Sequence, residues 1–251
     1  MILRRFTKHI TEQNWFAVGL DVIVVVVGIF LGLQVTEWNE SRKDKNQERA
    51  YLMQMKEDVL ASIENGRVYQ DNQNKYLDET AAFALLAVNK AGYEGSKVKF
   101  SQRLRSALFN LNRHIFRRKT WQELINSGQY RTFGDVALRE KIDEMVSLQN
   151  RLVSSTKNLD VYTRDNVDPW LTRYADVWQI TVEALPSDER AAMIAAKMPV
   201  FDPSELLRHS EFRNMLAYRY TFLSTDLLFY QRLDEIYAEL LQSIEIRLEQ
   251  S

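Results

Sequence analysis

Apolar residues run almost unbroken from Trp15 to Val35, and Trp38 follows three positions on. The stretch reads WFAVGLDVIVVVVGIFLGLQVTEW, and Asp21 is the one charge before its exit. A helix rises about 1.5 Å per residue, so residues 16–35 cover about 30 Å, the hydrocarbon thickness of a bilayer. The β-branched run Val22 to Val27 would favour a strand in water. In lipid the backbone must satisfy its own hydrogen bonds, so a lone apolar segment of this length is a helix. The pattern predicts one transmembrane helix over 15–38, with Trp15 and Trp38 anchored at its two interfaces.

Beyond the span the pattern changes to helical stripes in a polar background. Leu52, Met55, Val59 and Ile63 define a helix over 40–65 that continues the span, and Gly66 is expected to end or kink it. Tyr69, Tyr76, Phe83 and Ala87 define a second over 67–90, and A-G-Y-E-G-S at 91–96 is a loop. Ser101 is placed to cap a short helix holding Leu104, Leu108 and Leu111. T-W-Q-E-L-I-N-S-G at 120–128 reads as another, with Trp121, Leu124 and Ile125 inward and Gly128 closing it. Asp135 caps a long helix over 135–166 with Leu138, Ile142, Met145, Leu152, Leu159 and Tyr162 on one stripe. Asp168-Pro169-Trp170 marks its end and a restart. Pro186-Ser187 and the capping box Asp202-Pro203-Ser204-Glu205 open two further helices. The last helix, 210–248, carries Leu216, Tyr220, Leu223, Leu227, Tyr230, Leu233, Tyr237, Leu241, Ile244 and Leu248, the seam of a bundle or coiled coil. The expectation is an all-α fold. A single N-terminal transmembrane helix continues into a long helix, followed by an antiparallel bundle with short helical insertions. The chain divides into a tail (1–14), the span (15–38) and a helical-bundle domain (39–251).

Composition sharpens this picture at three points. Gly 8 and Pro 4 in 251 residues favour long helices over a many-turned β fold. Cys 0 excludes disulfides and thiolate metal sites. A net charge of −1 gives no general argument for nucleic acid, and none is expected as a partner. Arg4, Arg5 and Lys8 precede the span, the apolar stretch is too long for a signal peptide, and no small-residue cleavage site follows. The segment therefore reads as an uncleaved signal anchor. Positive charges on the short tail, against mixed charges after the span, place the N-terminus in the cytoplasm and the main domain in the periplasm.

Two constellations are candidates for function. Asp21, Val25, Gly28, Gly32 and Val35 share one stripe of the span, and Gly28 and Gly32 are spaced to let two helix backbones approach. A carboxylate inside the bilayer is expensive unless it faces protein or water, so Asp21 on that stripe points to a helix–helix interface and a homo-oligomer. The second is basic. Between Glu94 and Glu123 there is no acidic residue, and Arg103, Arg105, Arg113, Arg117, Arg118 and Lys119 are interleaved with Phe109, His114, Phe116 and Trp121. This is a candidate anion-binding strip, although such a run is more often the solvated face of a helix paired with acidic neighbours. No phosphate loop, metalloprotease, nucleophile-elbow or kinase motif is present, and the di-iron E-x-x-H pattern is absent. The three histidines are scattered, and a lone His is more often packed than a ligand. No catalytic residue, metal or cofactor is expected.

G-I-F-L-G-L-Q-V-T-E-W-N-E at 28–40 resembles the span-exit motif, G-x-x-x-G-x-Q-x-x-x-W-N-E, of a family of uncharacterised bacterial single-span membrane proteins. T-W-Q-E-L-I-N-S-G at 120–128, D-V-A-L-R at 135–139 and E-F-R-N-M-L at 211–216 resemble that family's later pattern. The resemblance implies an inner-membrane anchor with a helical domain and no activity. It makes Gly28, Gln34, Trp38, Asn39 and Glu40 motif positions, with Asp21 matching an acidic residue near the start of the family's span. The expectation is a non-enzymatic single-pass protein that oligomerises through its anchor and presents an interaction domain. Two alternatives remain open. One is an accessory subunit of an ion-coupled complex, using Asp21 beside a multi-span partner. The other is a periplasmic ligand-sensing module acting through a partner.

Overall fold

A computed structural model of the chain describes residues 15–89, 97–174 and 203–250. The expected tail (1–14), the loop at 91–96 and the helix at Pro186-Ser187 lie outside the described residues. All the regular structure described is helical, and no strand occurs among the described residues. The elements are α1 (Trp15–Val88), α2 (Lys97–Leu108), α3 (Lys119–Asn126), a 3-10 turn (Gln129–Arg131), α4 (Val136–Tyr162), a π turn (Thr163–Val167), α5 (Asp168–Tyr174), α6 (Pro203–Arg208) and α7 (Ser210–Gln250). The chain divides into two compact units, Met1–Leu52 with Gln250–Ser251, and Met53–Glu249.

Within the larger unit, α1 and α7 run antiparallel. Lys56 meets Glu245, Gln70 meets Asp234, Tyr69 meets Asp226, and Phe83 meets Phe212. α4 and α7 are antiparallel by the same test: Asp135 meets Arg247, Lys141 meets Glu239, Gln149 meets Tyr237 and Tyr162 meets Tyr218. One end of this three-helix core is filled by Phe83, Phe100, Leu104, Leu108, Leu171, Leu206, Phe212 and Leu216. Fully burying each such side chain contributes about 1.5–3 kcal/mol.

The expected break at Gly66 is absent, because α1 is continuous through it. A mid-helix glycine costs about 1 kcal/mol against alanine, and here its bare Cα serves packing. A Cβ at Gly66 would stand 3.3 Å from Cε1 of Tyr230. Nor does the helix stop at Pro169. The ladder widens into the π turn just before it, which accommodates a residue that has no N–H and crowds the preceding carbonyls. Ser101 lies inside α2, which opens at Lys97, so it is not the cap. Leu111 falls beyond α2, and Ile125 faces outward on α3 while Thr120 and Leu124 are buried. Three further signals hold, and Asp202 of the capping box lies outside the described residues. Asp135 caps α4, its Oδ1 accepting from the Leu138 N–H at 2.8 Å. Gly128 follows α3 with φ 73°, and Pro203 is the first residue of α6.

The seam of α7 corrects the expected stripe in an instructive way. Its line runs through Phe212, Leu216, Arg219, Leu223, Asp226, Tyr230, Leu233, Tyr237, Leu240 and Ile244, with Met215 and Ile236 also buried beside it. Strict three–four spacing passes through two charged residues, Arg219 and Asp226, where the sequence reading had preferred the apolar Tyr220 and Leu227. Tyr220 is exposed and Leu227 only half-buried.

Candidate functional site

α1 holds the one stretch among the described residues that is long and apolar enough to cross a membrane, and none of that stretch is buried within the chain. Every described side chain from Val22 to Val35 is exposed, including Val25. Cβ atoms built at Gly28 and Gly32 would meet nothing within 4 Å. At the exit, Trp38 is exposed and the Arg42 guanidinium lies over its ring at 5.9 Å. Trp15 and Asp21 both fall within α1.

The basic strip is not one helix face. Residues 110–118 form a segment without regular secondary structure, laid antiparallel along α1. Asn112 Nδ2 donates to the Tyr69 carbonyl, Asn65 Nδ2 to the Ile115 carbonyl, the Arg117 N–H to Ser62 Oγ, and the Thr120 N–H to Asp58 Oδ2. Exposure alternates from residue to residue along it. Asn112, His114, Phe116 and Arg118 are accordingly drawn inward, while Arg113, Ile115, Arg117 and Lys119 are exposed. Arg118 donates from Nε to Gln149 and from Nη1 to Asn150, both at 2.6 Å, and stacks over Phe116. Burial lowers its pKa. Arg103 on α2 pairs with Glu79 at 2.7 Å over the Phe83 ring. Arg105 lies half-buried on the same helix. Arg113, Arg117 and Lys119 are the members of the strip that face solvent.

The inward residues build a polar centre that no local motif announces. The His114 side chain is 1% exposed and that of Asp226 2%. His114 Nδ1 lies 2.9 Å from the Tyr230 hydroxyl, and Nε2 lies 2.7 Å from the Thr156 hydroxyl. A neutral imidazole has one donor and one acceptor, which two hydroxyls satisfy. Tyr69 and Ser155 both donate to the Asp226 carboxylate. The Tyr69, Tyr230, His114 and Phe116 rings stack across the same space. His114 Nε2 and Asp226 Oδ2 are 4.0 Å apart, the outer limit for an ion pair. Burial argues against one. It lowers the His114 pKa to about 4, with a backbone hydrogen bond at Leu152 pulling weakly the other way. Burial also raises the Asp226 carboxyl, opposed by the Ser155 and Tyr69 hydroxyls. We therefore assign His114 as a neutral imidazole. Desolvation raises the Tyr69 and Tyr230 phenols as well, so both stay protonated.

Next to this centre, Arg219 is 2% exposed and donates to the carbonyls of Leu108 and Asn110. Its Nε has no partner, and burial lowers its pKa to about 10. A cavity of about 550 Å³ opens beside the same turn, lined by Phe109, Asn110, Leu111, Arg113, His114, Val153, Thr156, Lys157 and Asp160. The sequence pattern brings out Phe109, Arg113 and His114 within the basic strip, but not the residues of α4 and α7 that they meet. The legible signal for those is Arg219 and Asp226 standing on the seven-residue seam of α7. No grouping of His, Asp and Glu suited to a metal ion occurs among the described residues. No family model, curated protein or solved structure matches the chain.

Proposed function

We propose that this is a non-enzymatic single-pass inner-membrane protein, anchored with its N-terminus in the cytoplasm, that self-associates through the anchor and presents its helical bundle in the periplasm. The observation that carries the reading is the uncovered apolar stretch of α1. A run of Val, Ile, Leu and Phe residues 49–64% exposed over residues 22–35 has no stable place in water, where exposed apolar surface of this extent marks a membrane or a partner. Lipid covers most of it. The Gly28–Gly32 line has no neighbour within 4 Å of a built Cβ among the described residues, and Asp21 falls on the same stripe by sequence. Two backbones brought together there would gain packing and take the carboxylate out of lipid contact. The span-exit motif at 28–40 is consistent with an anchor of this type.

The test is the mass of the intact particle extracted in native lipid or mild detergent. A homo-oligomer is expected, and Gly28→Ile or Gly32→Ile is expected to break it while leaving the helical content unchanged. A monomer, or an unchanged stoichiometry in both variants, overturns the self-associating anchor. A co-purifying multi-span protein in place of a second copy would move Asp21 into an ion-pathway reading.

A further inference from the structure

The cation inventory of the larger unit points to the cavity beside residues 109–114. Arg118 is held by the amide oxygens of Gln149 and Asn150, but several other cations at the helix seams have carboxylate partners: Lys56 with Glu245, Lys141 with Glu239, Arg232 with Glu144 and Arg103 with Glu79. Around this cavity they do not. Arg113 and Lys157 are exposed on its rim, and neither has an ion-pair or hydrogen-bond partner among the described residues. Behind its wall, Arg219 is buried against two carbonyls, one of them that of Asn110, a lining residue, with no carboxylate partner among the described residues. A buried cation lacking a counter-charge is costly, and the field it sets up favours an anion nearby. Asp160 is the one acidic residue on the lining.

The rest of the lining supplies shape. Phe109, Leu111 and Val153 give apolar surface, and Thr156 gives a hydroxyl held in place by His114 Nε2. A cavity of about 550 Å³ lies in the range of small-molecule sites, which combine apolar walls with a few fixed polar groups. We propose that this cavity binds a small organic acid, one carboxylate or phosphate group on an apolar body, with the anionic group between Arg113 and Lys157 and the body against Phe109, Leu111 and Val153. Asp160 on the rim sets the limit of a single anionic group, since a second would be repelled. The site stands on the larger unit alone and does not rest on the anchor reading.

The experiment uses the full-length protein in detergent, with phenylacetate and phenyl phosphate as probes and phenylacetamide as the neutral control. A ligand that binds the folded form raises the melting temperature in a saturable way. Both acids, or one of them, are expected to do so, and which one does identifies the anionic group. The amide is expected to have no effect. Arg113→Ala with Lys157→Ala, both solvent-facing, should weaken binding about ten-fold or more, as expected for losing charge-assisted hydrogen bonds. Asp160→Asn should tighten it, which a purely structural role for these residues does not predict. Val153→Trp, at a half-exposed position, should block the cavity while leaving every charge in place. The proposal is overturned if neither acid gives a saturable shift, if the amide shifts equally, or if the double variant and Val153→Trp both bind as the parent does. None of these results bears on the mass of the particle, so the two readings fail separately.

Discussion

His114 shows how far burial alone can reset a side chain. Free histidine takes up a proton near pH 6.5, but the buried imidazole does so only at about 4. Between those values the unfolded chain binds more protons than the folded one, so His114 makes the protein less stable as pH falls from 6.5 towards 4. The gap is worth about 3 kcal/mol, with little solvent screening at so buried a site. Asp226 works in the opposite sense. Its folded pKa is raised, so just above the ordinary carboxylate value the folded form binds the extra proton and regains part of the loss on acidification. Denaturant titrations at pH 7 and pH 4.5 are expected to show a marked loss of stability that shrinks in His114→Gln. Equal slopes in parent and variant would mean that the imidazole is not the titrating group. Gly66 gives a second test at this scale. Alanine favours a helix by about 1 kcal/mol, yet its Cβ would press within 3.3 Å of the Tyr230 ring. That ring is stacked on Tyr69 and tethered to His114, so it has little room to give way. Gly66→Ala is therefore expected to destabilise the bundle, and a gain in melting temperature would show that the ring yields.

Among the elements, the helices were legible where one period held for several turns and a polar cap marked the start. The α4 stripe and its Asp135 cap are the clear case. Asp135→Ala should lower stability by about 1 kcal/mol, Asn at the same position should retain most of it, and thermal unfolding of the two variants checks this. What failed to show was the switch of period at residues 109–118. A run of Arg, Lys and aromatics alternates inward and outward only once the chain is known to leave the helix there, and the composition is compatible with either state. Proline and glycine misled in the same way. Gly66 and Pro169 are breakers by local propensity, but Tyr230 packing on one and a π turn before the other let helical structure run past both. The seam of α7 failed for a different reason. Choosing apolar neighbours over strict spacing hid Arg219 and Asp226, the two residues that place charge inside the bundle.

At the scale of the whole molecule, the apolar helix was legible from length and composition, because a bilayer demands more continuous hydrophobicity than a protein core does. The occupant of its glycine face follows from different physics, which one residue can separate. In a self-associating anchor, Asp21 would matter as a polar group hydrogen-bonded across the helix pair. In an ion-coupled subunit it would matter as a carboxylate that gains and loses a proton. Asparagine keeps the size and the hydrogen bonding but cannot ionise, whereas leucine keeps neither. The proposed function therefore predicts that Asp21→Asn retains the oligomer seen in mild detergent. It predicts that Asp21→Leu weakens that oligomer by about 1 kcal/mol, the scale of interhelical polar contacts in membranes. Dissociation curves of the two variants against the parent, taken by dilution into increasing detergent, give this comparison directly. Full dissociation in Asp21→Asn would remove hydrogen bonding as the reason for the residue and leave ionisation as its role. An oligomer unaffected by either change would take Asp21 out of the interface and leave Gly28 and Gly32 to carry the association through backbone contact alone.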